Sequence, residues 1–517
     1  MMKVMTAEEA VREYIYDGAT VAFGGFVGSA HPEGLTIAIS EEFSRGGSPK
    51  DLTIVFAAGQ GDGKTRGLNY LGEEGLVAKA IGGHWALVPR IQKLALENKI
   101  AAYNLPQGVI SHILRDKAAG KLGVLTHVGL KTFVDPRLEG GKLNQKARDA
   151  GDIISVIEID GKEQLFYKTF PVNVAVIRAT YADVKGNCTF QKEGTFCDSI
   201  VMAQAARNSG GKVIVQVERI VEYPTLNPQL VRLPGVYVDA LVIAKPENHM
   251  QTFGSQYNPA YSGEIRVPVS SLAPMPLDER KIVVRRAAME LLPDAVVNLG
   301  IGMPEGVAAI AAEEGLQGMV LTTEAGAYGG IPASGVDFGV NTNADCIIEQ
   351  PSQFDFYDGG GLDVAFLGLA QLDSGGNINV SKFGPKIAGC GGFINITQNT
   401  KKVIFCGTFT AGGLELSIVN GELKILREGK VKKFVENVEQ ITFSGEYAQQ
   451  TDQKVLYVTE RAVFSLTPEG VVLEEVAPGI DVEKDILAHM DFRPIIGDYK
   501  KMDERIFRPE KMGLTFN

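Results

Sequence analysis

Two distant stretches of this chain read as copies of each other, and that repeat constrains the fold more than any other feature. Asp17-Gly18-Ala19-Thr20-Val21-Ala22-Phe23-Gly24-Gly25 precedes Pro32-Glu33-Gly34. Asp294-Ala295-Val296-Val297-Asn298-Leu299-Gly300-Ile301-Gly302 precedes Pro304-Glu305-Gly306. Each copy predicts a helix, a strand, a glycine-rich turn and the start of a second helix. Another strand follows in each, over 52–57 and 319–323. Setting Ala58-Gly59 against Ala325-Gly326 puts Ala57 opposite Glu324, so only the second copy ends this strand on a carboxylate. In open α/β sheets, ligands bind beyond the carboxyl ends of strands. A strand-end Glu is more often solvated or paired than functional. Here the small neighbours Ala325 and Gly326 leave room for a substrate.

A chain of 517 residues is too long for one core, so two to four domains are expected. Its 60 glycines gather at strand ends, as tight strand-to-helix turns require. The expected class is α/β, with open, mostly parallel sheets flanked by helices. Apolar runs over 212–217, 238–243 and 402–405 fit parallel strands covered on both faces. The runs 455–459 and 471–476 suggest a hairpin-like element near the C-terminus. The domain boundary is expected within 251–280, which is rich in Pro, Ser, Gly and Tyr and includes Ser270-Ser271-Leu272-Ala273-Pro274-Met275-Pro276. Asp278 then caps a helix running to Leu292. This gives domains 1–275 and 276–517.

The net charge of −11 argues against nucleic acid and an anionic membrane surface as partners. It leaves room for an anionic small ligand held by local amides. No run of about 18 apolar residues predicts a membrane-spanning helix. Met1-Met2-Lys3-Val4-Met5 leads into Thr6-Ala7-Glu8-Glu9, a capping box rather than a signal peptide. The cysteines Cys188, Cys197, Cys346, Cys390 and Cys406 have no metal-site spacing, and the six histidines are scattered. A reducing cytoplasm and no metal follow as expectations.

Several loops carry chemical potential beside plainer readings. Phe23 to Gly28 and Leu299 to Pro304 present backbone N–H groups at a helix start, which suits phosphate or carboxylate, but neither completes a dinucleotide fingerprint. The plainer reading of each, a tight turn, ranks first on these residues alone. Ala58-Gly59-Gln60-Gly61-Asp62-Gly63-Lys64-Thr65 nearly matches a phosphate-cradling loop, yet Ala58 replaces a glycine and Asp62 would face phosphate, so the match is accidental. A dehydrogenase or NTPase is therefore a weak competing class. Tyr103-Asn104-Leu105-Pro106-Gln107-Gly108 sets an amide at a proline-fixed turn, either a surface residue or a donor to an oxyanion. Gly389-Cys390-Gly391-Gly392-Phe393 exposes backbone before an expected strand, Ile394-Asn395-Ile396. The segment 353–361 reads as an aromatic, glycine-rich loop that is costly to order unless something binds near it.

Taken together these residues resemble the class I coenzyme A transferases, in particular the single-chain propionate or acetate branch. The resemblance runs nearly end to end. It includes Gly83-His84-Trp85, Thr132-Phe133-Val134-Asp135-Pro136-Arg137, Gly140-Gly141-Lys142-Leu143-Asn144, 353–361, 377–383 and 388–396. It closes with Phe405-Cys406-Gly407-Thr408-Phe409-Thr410-Ala411-Gly412 and Val476-Ala477-Pro478-Gly479-Ile480-Asp481. It implies two related CoA-transferase-like α/β domains with the active site between them. It makes Glu324 the nucleophile and Gln107 the oxyanion donor. It places Gly300, Ile301, Gly302 and Met303, and Gly389, Gly391 and Gly392, in loops that meet CoA or the acyl oxygen. Where many relatives have Ser-Glu-Asn-Gly, this chain has Thr323-Glu324-Ala325-Gly326, a change in neighbours that bears on substrate preference.

The implied reaction transfers CoA between short-chain acyl-CoA and free acids such as acetate, propionate, butyrate or lactate. CoA acts as cosubstrate, with no permanently bound cofactor. Carboxylate and thiolate both leave without protonation near neutral pH, so no histidine base is needed. Two N–H donors are needed at each tetrahedral oxyanion. An acyl-CoA hydrolase on the same fold is the nearest alternative. A homo-oligomer is expected on general grounds.

Overall fold

A computed structural model describes residues 2–268 and 275–516. Residues 269–274 of the expected boundary, and Met1, lie outside the described residues. The chain forms two compact units. The first comprises Met1–Val267, Thr323–Asp355 and Gly384–Asn395; the second comprises Pro268–Thr322, Phe356–Phe383 and Ile396–Asn517. Glu324, Gln107 and the 389–392 turn thus belong to one unit.

In the first unit the main sheet runs in the order Lys3–Met5, Ala240–Ile243, Lys212–Val221, Val174–Asp183, Thr20–Phe23, Leu52–Phe56, Val77–Gly82, Ala101–Asn104. Every neighbouring pair along this path is parallel. Helices such as Ala7–Tyr14, Glu33–Gly46 and Pro89–Leu96 cover the strands. Val21, Phe23, Ile54, Phe56 and Trp85 pack in the resulting core, joined by Ile387 from a distant part of the chain. The Thr6 box forms as expected: Thr6 Oγ1 accepts from the Glu9 N–H, and the Glu9 carboxylate accepts from the Thr6 N–H.

In the second unit Val320–Thr322, Val296–Leu299, Val364–Gly368, Lys402–Cys406 and Lys454–Val458 lie side by side and parallel. The strand order repeats that of the first unit, where Leu52–Phe56, Thr20–Phe23, Val174–Asp183, Lys212–Val221 and Ala240–Ile243 neighbour one another in the same sense. The register confirms the sequence alignment. Gly24 donates to Val176 O at 3.0 Å, and Gly300 donates to Phe366 O at 2.8 Å. Val21 pairs with Ile54, and Val297 pairs with Leu321. Counting on three residues from Ile54 and Leu321 reaches Ala57 and Glu324.

Four local expectations are corrected. Ile394-Asn395-Ile396 lies in the helix Phe393–Asn399, not a strand. All three side chains are buried, and a short apolar run carries no period that separates helix from strand. The 353–361 segment is not a loop but mostly the helix Gln350–Asp358. Gln350, Gln353, Phe354 and Tyr357 are fully buried, a helical i, i+3, i+4, i+7 stripe hidden from a hydrophobic reading by its two glutamines. The 455–459 and 471–476 strands do not pair, because Ala462–Thr467 lies between them and pairs antiparallel with both. The Asp278-capped helix ends at Ala288. Beyond it the N–H groups of Met289, Glu290 and Leu291 donate to carbonyls three residues back, which tightens the last turn.

The first unit is completed by residues from beyond position 275. Ala388 O accepts from the Trp85 and Ala86 N–H groups, and Ile387 O accepts from Gln92 Nε2. A fragment 1–275 should therefore melt below the intact chain and recover on addition of 276–517. An isolated fragment that melts at the temperature of the intact chain contradicts this packing.

Candidate active site

Glu324 sits in a tight turn at the exit of the strand Val320–Thr322. The Gly326 N–H donates to Thr323 O at 3.0 Å, which makes Glu324 and Ala325 the central residues. The Thr323 N–H donates to Ala327 O at 3.0 Å. Gly326 has φ +108°, and a Cβ on it would stand 2.1 Å from Ile348 O, so only glycine fits. Ala325 is fully buried against Phe26, Val27, Ala30, Ala58, Cys197, Phe253 and Phe338. The Thr195 hydroxyl donates to Ala325 O at 2.6 Å. Glu324 as a whole residue is only 8% exposed.

Gln107 opens the helix Gln107–Ala118 behind Pro106 and is buried, not a surface turn residue. Its backbone N–H donates to Gly391 O at 2.9 Å. Its side-chain Nε2 donates to Gln350 Oε1 at 3.2 Å. Next to it, Gly108 is packed so closely that a Cβ would meet Phe354 Cδ1 at 2.5 Å.

The 389–392 turn is tied to the same strand ends. The Cys390 N–H donates to Asn104 Oδ1 at 3.0 Å, and the Gly391 N–H donates to Gly83 O at 2.9 Å. Asn104 Nδ2 in turn donates to Gly82 O and Gly83 O. A Cβ on Gly391 would lie 3.7 Å from His84 Cδ2 and 3.9 Å from Gln107 Oε1, so this turn faces both side chains. Desolvation pushes the His84 imidazole down to about 4, which keeps it uncharged near neutral pH.

The near P-loop is closed on itself. Asp62 Oδ1 accepts from the N–H groups of Lys64, Thr65 and Arg66 at 2.8, 2.8 and 3.0 Å, so the amides that would cradle phosphate are already engaged. Gln60 is buried and donates to Phe23 O and Gly25 O. Among the described residues no cluster of three or more His, Cys, Asp or Glu could hold a metal ion. No helix among them is long and apolar enough to cross a membrane.

In the second unit the Gly300–Met303 turn follows Val296–Leu299. Gly302 has φ +90°, and Ile301 is 52% exposed. Burial raises the pKa of the neighbouring Glu305 carboxyl, while the Gly302 backbone amide pulls it back.

Comparison with known proteins bears on what this arrangement does. A family model described as Coenzyme A transferase matches residues 4–244. Caffeate CoA-transferase of Acetobacterium woodii is 48% identical over 521 residues, covering 99% of each chain. The chain belongs to the coenzyme A transferase family. Acetate CoA-transferase YdiF of Escherichia coli K12 is 45% identical over 515 residues, covering 99% of this chain and 96% of that protein. A crystal structure of YdiF from E. coli O157:H7, a thioester complex with CoA, superposes with a TM-score of 0.94 at 44% identity, covering 99% of this chain and 98% of that one. This chain is thus a CoA-transferase with the two-domain α/β fold of that family.

Sequence reasoning missed Thr195, Asp198, Ser111 and Gln350, which brace Gln107 and the Glu324 turn. Nothing in their spacing marks them, because each acts through a long-range contact. Gly326 is the most direct local test. Gly326→Ala should destabilise the protein by about 1–3 kcal/mol through strain at positive φ, read by denaturant unfolding, and should remove transfer activity with it. A variant of unchanged stability contradicts this account of the turn.

Proposed function

We propose that this enzyme transfers CoA between short-chain acyl-CoA donors and free acids, acetate and propionate first, through a glutamyl-CoA thioester on Glu324. The observation that carries the reading is the Glu324 turn, which is buried, fixed by Gly326 and the Thr195 hydroxyl, and part of the unit that holds Gln107 and Gly391. The names of the acetate and caffeate relatives support a carboxylic-acid acceptor. Butyrate and lactate belong to the same size class.

In this scheme the Glu324 carboxylate attacks the thioester carbonyl and CoA leaves as thiolate, giving an acyl–glutamyl anhydride. The thiolate then attacks the glutamyl carbonyl, the donor acid leaves as carboxylate, and CoA stays on Glu324. The acceptor acid runs both steps backwards. No redox change or net proton transfer occurs, so the route calls for no metal or redox cofactor. Gln107 Nε2 has one hydrogen beyond its bond to Gln350 and is assigned to the oxyanion. The Gly391 and Cys390 N–H groups are engaged elsewhere, which favours the Gly389 or Gly392 amide as second donor. The Gly300, Ile301, Gly302 and Met303 turn, with its exposed isoleucine, suits the CoA chain. Gly391, through its close approach to Gln107, shapes the acyl end.

We further propose that 1–275 and 276–517 are the two repeats of the domain organisation. The second contributes 323–355 and 384–395 to the first compact unit. Self-association into a homo-oligomer and work in the cytoplasm complete the reading, the latter in keeping with five free cysteines.

Kinetics test the proposal. Initial-rate plots against both substrates should be parallel, and Glu324→Gln should lose transfer while melting normally. Gln107→Ala should lower kcat by about 10²–10³. CoA release from acetyl-CoA should depend on added acid. Release at full rate with no acceptor would favour the hydrolase alternative, and converging plots would exclude the ping-pong route.

A further inference from the structure

We propose that Asp198 is a positioning residue that sets the direction of the Gln107 amide through Gln350. The inference rests on the assignment of Gln107 to the oxyanion. Its basis is a buried chain of hydrogen bonds within one compact unit. Gln350 Nε2 donates to Asp198 Oδ2 at 3.0 Å and to Ser111 Oγ at 2.8 Å. Both hydrogens of that amide are thereby used. Gln350 Oε1 is left to accept from Gln107 Nε2 at 3.2 Å. Gln350 and Ser111 are fully buried, and Gln107 and Asp198 are 3% and 5% exposed, so water does not offer these groups an alternative partner.

Polarity along the chain follows from chemistry. An ionised carboxylate only accepts, whereas a glutamine amide donates at one end and accepts at the other. If Gln350 turned over, its carbonyl oxygen would face the Asp198 carboxylate at hydrogen-bond distance, a repulsive contact. With Gln350 held, Gln107 must present nitrogen to it, and its second N–H points away as a donor. With Gln350 reversed, Gln107 would reverse too. A carbonyl lone pair would then stand where that N–H now points, and would repel a developing oxyanion instead of binding it.

Two further observations set Asp198 apart from an ordinary capping residue. It occupies the N-cap of the helix Ser199–Asn208 yet makes no side-chain cap hydrogen bond, although Asp at this position usually accepts from the helix N-terminus. Its second oxygen, Oδ1, has no hydrogen-bond partner among the described residues. A buried, half-satisfied carboxylate costs stability. Burial also pushes its pKa up to about 6. Of the charged and titratable groups, His112 faces it from the helix Gln107–Ala118, and His112 is itself held by Asp355 and Pro351 O.

The loop that carries Asp198 also grips the nucleophile's turn. Thr195 Oγ1 donates to Ala325 O, and Cys197 O accepts from the Gln350 N–H at 3.1 Å. Cys197 adopts φ +47°, which a non-glycine residue rarely does. One four-residue loop thus holds Glu324's neighbour with its first residue and Gln107's orienting partner with its last.

The test is a double-mutant cycle on kcat, KM and melting temperature, using the full chain with acetyl-CoA and propionate. Asp198→Ala should lower kcat about 10- to 100-fold with KM little changed. It should melt near the wild-type temperature, because removing a costly buried charge offsets the Gln350 N–H left without its partner. Asp198→Asn, whose amide can offer Gln350 either a carbonyl or an N–H, no longer fixes the direction and should recover kcat only in part. In a Gln107→Ala background, Asp198→Ala should add no further loss. Gln350→Met, which keeps side-chain volume but cuts the chain, should show the same non-additivity and serves should Asp198→Ala not fold. Normal kcat in Asp198→Ala or Gln350→Met beside an impaired Gln107→Ala overturns the proposal alone. So does a full additional loss in the Gln107→Ala background. Wild-type kcat in Gln107→Ala overturns the assignment of Gln107 beneath it, and this inference with it.

Discussion

The hydrogen bond from the Gly326 N–H to Thr323 O, closed at a backbone angle that only glycine tolerates, is the constraint on which the site depends. It turns the chain at the end of a parallel strand and leaves Glu324 at the first central position of that turn. The strand supplies rigidity, and the turn supplies projection beyond the carboxyl edge, where an α/β sheet opens to ligands. Thr195 then fixes the turn from outside by bonding to Ala325 O. Under the proposed mechanism, in which Glu324 is the nucleophile, a carboxylate set on such a support loses little freedom when it reacts, which is where proximity contributes most to rate.

Much of this was legible in the sequence because the fold is a repeat. The glycines at 24 and 300 follow strands of matching pattern, and each donates its N–H to the neighbouring strand in the same register. That shared geometry forces Ala57 and Glu324 into equivalent positions, so aligning the copies shows that only the second carries a carboxylate, while its role came from the family resemblance. Gln107 was legible through its setting after Tyr103-Asn104-Leu105-Pro106, although its burial was not. The helix Gln350–Asp358 escaped notice because two of its four buried positions are glutamines, which dilute the apolar stripe that periodicity detects. Ile394 and Ile396 misled in the opposite way, since β-branched residues favour strands only where a pleated neighbour receives them.

What the sequence hides altogether is polar and long-range. Asp198, Gln350 and Ser111 have no motif spacing, and their meaning arises only when folding brings them to Gln107. Such chains matter beyond their bond energies. A buried donor or acceptor left without its partner costs about 1–3 kcal/mol, so each member restricts the orientation of the next. Stability is spent on Asp198 in this scheme, and the return is a single orientation of the catalytic amide. The same logic explains why the Gly59 to Thr65 loop is not a phosphate site: Asp62 satisfies the amides from within.

The central claim is that CoA becomes covalently attached to one carboxylate. The most direct measurement is peptide mapping by mass spectrometry after mixing the enzyme with acetyl-CoA in the absence of an acceptor acid. The account predicts a CoA adduct on the peptide containing Glu324 that disappears when acetate or propionate is added and is absent from Glu324→Gln. A fully active enzyme that carries no adduct under saturating acetyl-CoA, or an adduct mapping to another residue, would contradict it.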